Sequence, residues 1–101
     1  MPLYLALTKF KSGLIAVMIS DRDYKRICWA SRRGMLELDL MLVPFVEKRF
    51  LALSEQDQQR YIRLLEGEDT DLFMWCMGRQ LPDDDDLAAI IKQIIEFSRG
   101  H

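Results

Sequence analysis

Signals that begin and end helices alternate along the chain from Ser20 onward, and they restrict the fold more than any other feature. Polar residues that can cap a helix stand before apolar runs, and single glycines follow several of those runs. Within the runs, apolar residues recur at helical spacing, without the alternation of a strand or the Asn-Gly or Asp-Gly pair of a tight hairpin. The sequence therefore predicts an all-α fold: a small, mostly antiparallel bundle of five helices joined by short turns.

The same signals give the boundaries of the helices. The predicted helices are one capped by Ser20 or Asp21 and running to about Arg32, one from Met35, one capped by Ser54 and ended by Gly67, one from Asp69 or Thr70 through Met77, and one opened by Asp83–Asp86. Gly34 follows the first helix, because glycine enters without strain the left-handed conformation in which many helices end.

The second predicted helix is apolar on nearly every side, from Met35 to Val46. A helix of this kind has to be surrounded by others, so we expect it to be the central helix of the bundle. Pro44 lacks a backbone N–H and clashes with the carbonyl of Leu40, so a kink or a break is expected near Val43.

The length of 101 residues is that of one small domain, and we assign residues 20–101 to a single helical-bundle domain. The apolar run from Leu14 to Ile19 is too short to cross a membrane, and no signal-peptide cleavage site follows it. We therefore expect residues 1–19 to be a weakly ordered extension. A chain that begins at Met18 is predicted to fold and function as well as the whole one.

The charge and the scarcity of reactive side chains exclude several classes of protein. A net charge of −2 and a pI of about 5.3 lack the basic excess of a nucleic-acid-binding module. His101 is the only histidine, so histidine-based nucleophilic or zinc chemistry has no internal residue to use. The five glycines are scattered singly, so no glycine-rich loop is present to hold a nucleotide phosphate. We predict a binding protein with no catalytic residue, no metal site and no stably bound cofactor.

The cysteines and the acidic run have structural interpretations. Cys28 and Cys76 are far apart and lack the spacing of a metal or redox pair, so they are predicted to be buried free thiols of a cytoplasmic protein. Asp83–Asp86 lack the glycine and the terminal glutamate of a calcium loop. In the first turn of a helix, they would offset the positive end of its dipole.

The junction between the first two helices carries the arrangement that points to a partner. Trp29 lies at helical spacing from Arg26 and Arg33, and a tryptophan flanked by arginines is typical of an interface hot spot. Trp29 could equally pack on the arginine stems or on the N-terminal extension. Glu37 has two interpretations as well: it serves the backbone donors at the start of the second helix, or it serves a partner.

The stretch WASRRGMLELDLMLVPF, followed by LSEQDQQRYIRLLEGEDTDLFMWCMG, resembles the SdhE/YgfY family of succinate dehydrogenase flavinylation factors. The resemblance rests on an R-G-x-x-E motif, here Arg33, Gly34 and Glu37, in an R-R-G-M-x-E-L-D context. It runs from about Asp21 to the last helix, and the first twenty residues lie outside it.

The resemblance implies a five-helix bundle that binds the flavoprotein subunit of succinate dehydrogenase, and in bacteria also fumarate reductase. Such a factor promotes covalent attachment of FAD to a histidine of that subunit, so FAD would be attached to the partner and not held by this chain. We expect a monomer without stable membrane insertion. The predicted partner-binding residues are Arg33, Gly34 and Glu37, with Trp29, Arg26 and Asp39 beside them.

A different class of function stays open on the residues alone. The basic face of the first helix fits a helical regulator or an antitoxin-like module that binds another macromolecule. The acidic pI and the lack of further basic clusters argue against this alternative. An enzyme is the third option, and a bundle of this size offers no obvious cleft for catalytic carboxylates.

Overall fold

The computed structural model describes the backbone of residues 3–10 and 13–100, and the side chains of residues 19–100. The helices are α1 (Asp21–Ala30), α2 (Leu36–Arg49), α3 (Glu55–Leu64), α4 (Asp69–Cys76) and α5 (Asp85–Arg99), with a 3-10 turn at Phe50–Ala52. The predicted bundle of five helices is confirmed, with small shifts at the helix ends. Within the described ranges, no helix is long and apolar enough to cross a membrane.

A pair of antiparallel strands precedes the helices. β1 (Leu3–Phe10) pairs with β2 (Gly13–Ser20), and Leu3 lies opposite Ser20. The sequence analysis assigned no secondary structure to residues 1–19, so it missed this strand pair. β2 is rich in β-branched and other apolar residues, a composition that favours a strand. The weak order expected of this extension stays a prediction.

Side-chain caps begin three of the helices. Ser20 and Ser54 each accept a hydrogen bond at 3.1 Å from the backbone N–H three residues later, which confirms them as the caps of α1 and α3. Asp84 caps α5 by accepting two backbone N–H groups, at 2.9 and 3.0 Å. The predicted cap of α4 is wrong, because the N-cap residue is Glu68 and Asp69 already lies inside the helix. The Asp69 carboxylate bonds to an arginine instead.

The core is centred on Tyr61, whose ring centroid lies 5.6 Å from that of Phe45 and 5.7 Å from that of Phe50. The Tyr61 hydroxyl and the buried Ser31 Oγ form a hydrogen bond of 2.6 Å, and burial raises the pKa of Tyr61. The other buried apolar residues are Leu38, Leu42, Val46, Leu53, Leu64, Leu72, Cys76, Ile90, Ile91 and Ile94. The apolar faces of α2, α3, α4 and α5 thus meet in one core.

Both cysteines are free, as predicted. Cys76 is buried in the core, and this burial raises the pKa of its thiol to about 12. Cys28 on α1 is only half-buried, so the prediction of full burial is confirmed for Cys76 alone.

Helix α2 corrects two expectations. It runs from Leu36 to Arg49 with Pro44 inside it, so the chain does not break near Val43. Leu40, whose carbonyl Pro44 leaves without its helical donor, is 65% exposed, so this turn of the helix lies at the surface. The helix is also not surrounded, because Leu36 is 70% exposed as well. An apolar helix can leave one face exposed to solvent. Because α2 carries apolar residues on nearly every side, its composition does not indicate which face is exposed.

Candidate functional site

The α1–α2 corner, defined here as residues 29–40, turns at Gly34. Its φ of +82° lies in the left-handed region, as the sequence predicts. A Cβ atom built on Gly34 would meet no other atom within 4 Å. A larger residue would therefore strain the backbone without a clash inside this chain, and its side chain would project into the open space outside the turn.

Asp39 holds this turn in place from the first turn of α2. Its Oδ1 accepts the backbone N–H of Arg33 at 2.7 Å, and its Oδ2 accepts that of Gly34 at 3.2 Å. One carboxylate thus satisfies two backbone donors that lie outside the helices. Accepting hydrogen bonds from backbone N–H groups was one of the two roles considered for Glu37, and here Asp39 has that role. Asp39, predicted as a partner contact, has a structural task here.

Arg33 ties the corner to the connection between α3 and α4. Its Nε donates to Asp69 Oδ1 at 2.7 Å, and its side chain is 16% exposed. The remaining acceptors are the carbonyls of Ala30 at 3.1 Å, Leu65 at 2.9 Å and Gly67 at 2.9 Å. The expectation that Arg33 projects beside Trp29 is wrong, because these acceptors hold the guanidinium inside the fold.

Glu37 is the second residue of α2 and is exposed. Among the described residues, its carboxylate takes part in no hydrogen bond and no ion pair. The interpretation that it bonds to backbone donors is therefore wrong, although its charge still lies near the positive end of the helix. Its carboxylate is accessible to a partner.

Trp29 is 78% exposed, so it packs neither on the arginine stems nor under the N-terminal extension. Arg26 is also exposed and has a weak contact of 4.0 Å with Asp23. Arg32 is exposed too, and in the described part of the chain its side chain has no polar partner. The exposed arginine of the Arg-Arg pair is therefore Arg32, which the sequence analysis did not select.

Two leucines at the corner were also missed. Leu36 and Leu40 lie one turn apart on α2 with 70% and 65% exposure, and Glu37 adjoins Leu36 on the same open side. The buried residues Leu38 and Leu42 lie on the opposite side of the helix. Leu36 and Leu40 each stand two positions before Leu38 and Leu42, and residues two positions apart point to opposite sides of a helix. This spacing could have indicated that one of the two pairs is exposed.

The acidic run at the start of α5 is used inside the protein. Arg60 Nε donates to Asp86 at 2.9 Å, and Arg63 donates to Asp84 at 3.1 Å through Nη1. In residues 19–100, no three His, Cys, Asp or Glu side chains are grouped as a metal site. A surface depression of about 300 Å³ lies between α1 and α3 and is lined in part by Arg26 and Ile62, outside the turn at Gly34.

Comparison with known proteins gives this corner a context. Residues 25–98 match the family model described as "Flavinator of succinate dehydrogenase". The chain belongs to this family. The prediction from the R-G-x-x-E motif is thereby confirmed, and the match includes every residue of the α1–α2 corner.

Individual relatives agree with the family match. The chain is 47% identical to the FAD assembly factor SdhE of Pseudomonas aeruginosa over 79 residues, which are 78% of this chain and 94% of that protein. It is 48% identical to the protein of the same name from Shewanella oneidensis, over 68% of this chain and 84% of the relative. A solution structure of a UPF0350 protein shares 41% identity with a TM-score of 0.65, and the alignment covers 81% of this chain and 88% of that one.

Proposed function

We propose that this chain binds the flavoprotein subunit of succinate dehydrogenase and promotes covalent attachment of FAD to a histidine of that subunit. The chain would act as a cytoplasmic monomer and as a helper, without catalytic residues of its own. The observation that carries the proposal is the exposed carboxylate of Glu37 beside the open turn at Gly34, in a member of the flavinator family. Both residues belong to the motif on which the resemblance rests.

Covalent flavinylation is chemistry of the flavin and of the client protein. A helper therefore needs only to hold the client in the geometry in which histidine and flavin meet. The α1–α2 corner fits this task because Asp39 and Arg33 make it rigid, while Glu37 and Trp29 remain exposed. Arg33 and Asp39 would thus act by positioning the contact residues.

Co-expression tests the proposal. The flavoprotein subunit from the same genome is produced with and without this chain in a host that lacks its own flavinylation factor, and covalent flavin is read as fluorescence in a denaturing gel. We expect this chain to raise the flavin bound per subunit. Equal fluorescence with and without it would overturn the proposal. The same assay with a fumarate reductase flavoprotein subunit tests the second client that we propose.

Matched variants separate the corner from general damage. Glu37→Ala and Gly34→Arg are expected to lower covalent flavin about tenfold or more, by removing a contact and by blocking close approach. Glu96→Ala changes another exposed glutamate, on α5, and Gly78→Arg changes another open, left-handed glycine. Both controls should flavinylate normally. A loss of the same size in a control would argue against a role for the corner.

A further inference from the structure

The open face of α2 carries an apolar strip with one charge in it. We define the α2 strip as Leu36, Glu37 and Leu40. We propose that this strip docks on an apolar surface of the client that presents a lysine or arginine to Glu37. The inference rests on the proposed function, since it names the chemistry of the partner surface.

Leu36 and Leu40 form an exposed apolar pair on α2. Few large apolar side chains of residues 19–100 are strongly exposed, and two of them, Leu36 and Leu40, lie one turn apart on α2. Exposed apolar residues grouped in this way indicate a protein interface more often than scattered ones do.

Glu37 places a charge beside this apolar pair. A partner that covers Leu36 and Leu40 also removes water from Glu37, which is exposed and lies three residues before Leu40, a spacing at which helix side chains are neighbours. A carboxylate that loses water without a counter-charge is costly, and no cation of this chain is paired with it in the described residues. The surface that covers the strip therefore has to replace this water with hydrogen-bond donors, and a lysine or arginine does so while also neutralising the charge.

A second copy of this chain fits the α2 strip less well than the client does. A second copy packed with its strip on this one across a two-fold axis would bring two Glu37 carboxylates together, and the exposed Arg32 of the corner lies outside the strip. The strip is also far smaller than the roughly 800 Å² per partner that a stable dimer buries. A client that contributes its own cation, and further area around Trp29, meets both conditions.

Binding measurements on the whole chain test the strip. The dissociation constant for the flavoprotein subunit is measured for the wild type, for the double variant Leu36→Ala/Leu40→Ala, and for Glu37→Gln and Glu37→Arg. We expect about tenfold weaker binding for the double variant and for Glu37→Gln, and about 100-fold weaker binding for Glu37→Arg. The matched control is Leu81→Ala, because Leu81 is 74% exposed in the α4–α5 connection. Its dissociation constant should change less than about twofold.

A charge exchange sharpens the test. Lysines and arginines on the client surface are changed to glutamate one at a time and combined with Glu37→Arg. We expect one such change to restore at least about tenfold of the lost affinity, as a directly opposed charge pair does. If no reversed residue rescues binding, the cation is not there and the proposal fails. Unchanged binding by the double leucine variant would overturn it as well.

Two further readouts keep the outcomes distinct. If the wild type neither binds the subunit nor raises its covalent flavin, the proposed function itself fails. If the wild type does both and every strip variant matches it, only the docking strip is wrong. Light scattering covers self-association: a dimer that the double leucine variant abolishes would assign the strip to a second copy and overturn the proposal.

Discussion

Two corners of the molecule share one backbone solution and differ in chemistry. Gly34 turns the α1–α2 corner with φ +82°, and Gly78 turns the connection between α4 and α5 with φ +73°. Neither glycine has an atom within 4 Å of a built Cβ, and each has an exposed leucine close by in sequence. A left-handed glycine and an exposed leucine are therefore not by themselves signs of a binding site.

The charged residues distinguish the two corners. In the α4–α5 connection, Arg79 lies 5.9 Å from the Phe73 ring centroid, and Asp84 is engaged by Arg63 and by the backbone of α5. At the α1–α2 corner, Arg33 is tied inward, while Glu37 makes no polar contact with described residues. Among the described residues, Asp83 of the α4–α5 connection is exposed and unpaired as well, so the α1–α2 corner differs in combining its unpaired Glu37 with the exposed Trp29 and the family motif.

The largest expected difference between the corners concerns their arginines. Arg33→Ala removes an ion pair and leaves carbonyls without a donor, and should lower the free energy of unfolding by about 3 kcal/mol. Arg79→Ala removes only an exposed contact with an aromatic ring, at a cost of about 0.5 kcal/mol. Urea unfolding measures both. Arg32→Ala is a second control, and equal losses in all three variants would contradict the positioning role of Arg33.

Replacing either glycine with alanine should lower the stability less than Arg33→Ala does, and by the same amount at both positions. Gly34→Ala and Gly78→Ala each place a Cβ in the left-handed region, at about 1 kcal/mol, without a clash. Thermal unfolding of the two variants should therefore give similar melting temperatures, below that of the wild type. A much larger loss for Gly34→Ala would indicate that the corner is packed more tightly than its open space implies.

The acid dependence of stability should follow Asp84. Hydrogen bonds from Arg63 and from the backbone of Leu87 hold the pKa of Asp84 below its usual value. The folded state thus binds this proton less readily than the unfolded state, so the stabilisation is present at neutral pH and is lost as the pH falls through the folded pKa. Asp84→Asn should lower the melting temperature at pH 7, and the gap to wild type should close in acid. Asp83→Asn is the matched control and should show no such closing gap.

The smallest effect is expected from shortening the chain. A chain that begins at Met18 keeps the Ser20 cap and both corners, and we expect its melting temperature to fall by no more than about 4 °C. Its covalent-flavin activity should be unchanged. A large loss of either would show that the β1–β2 pair belongs to the functional domain, and would make the assignment of residues 20–101 as a self-sufficient domain wrong.

Much of the fold could be predicted because helix signals are local. The caps Ser20 and Ser54 act on a backbone N–H three residues away, and the conformation of Gly34 depends on its own missing Cβ. The strand pair was missed because it lies before Ser20, where the helix signals begin, and no secondary structure was assigned to residues 1–19. The kink or break near Val43 was predicted from the local rule that proline removes a helix donor, and the break is wrong because α2 continues through Pro44.

The site could be predicted only in outline. The motif followed from the residues, but the exposure of Trp29 and the roles of the neighbouring charges did not. Asp39, and not Glu37, serves the backbone, and Arg32, and not Arg33, is the exposed arginine. In each case two like residues stand within two positions of each other, and local rules do not distinguish them.

By itself, the sequence determined the five helices, the serine caps of α1 and α3, the turn at Gly34 and the family. The tertiary structure alone decided which charges form bonds inside the fold and which stay exposed. The physical reason is distance along the chain, since the acceptors of Arg33 in α4 and in the α3–α4 connection lie 32 to 36 residues away. A side chain is withdrawn from the surface only when such acceptors arrive, and the same folding event leaves Glu37 exposed.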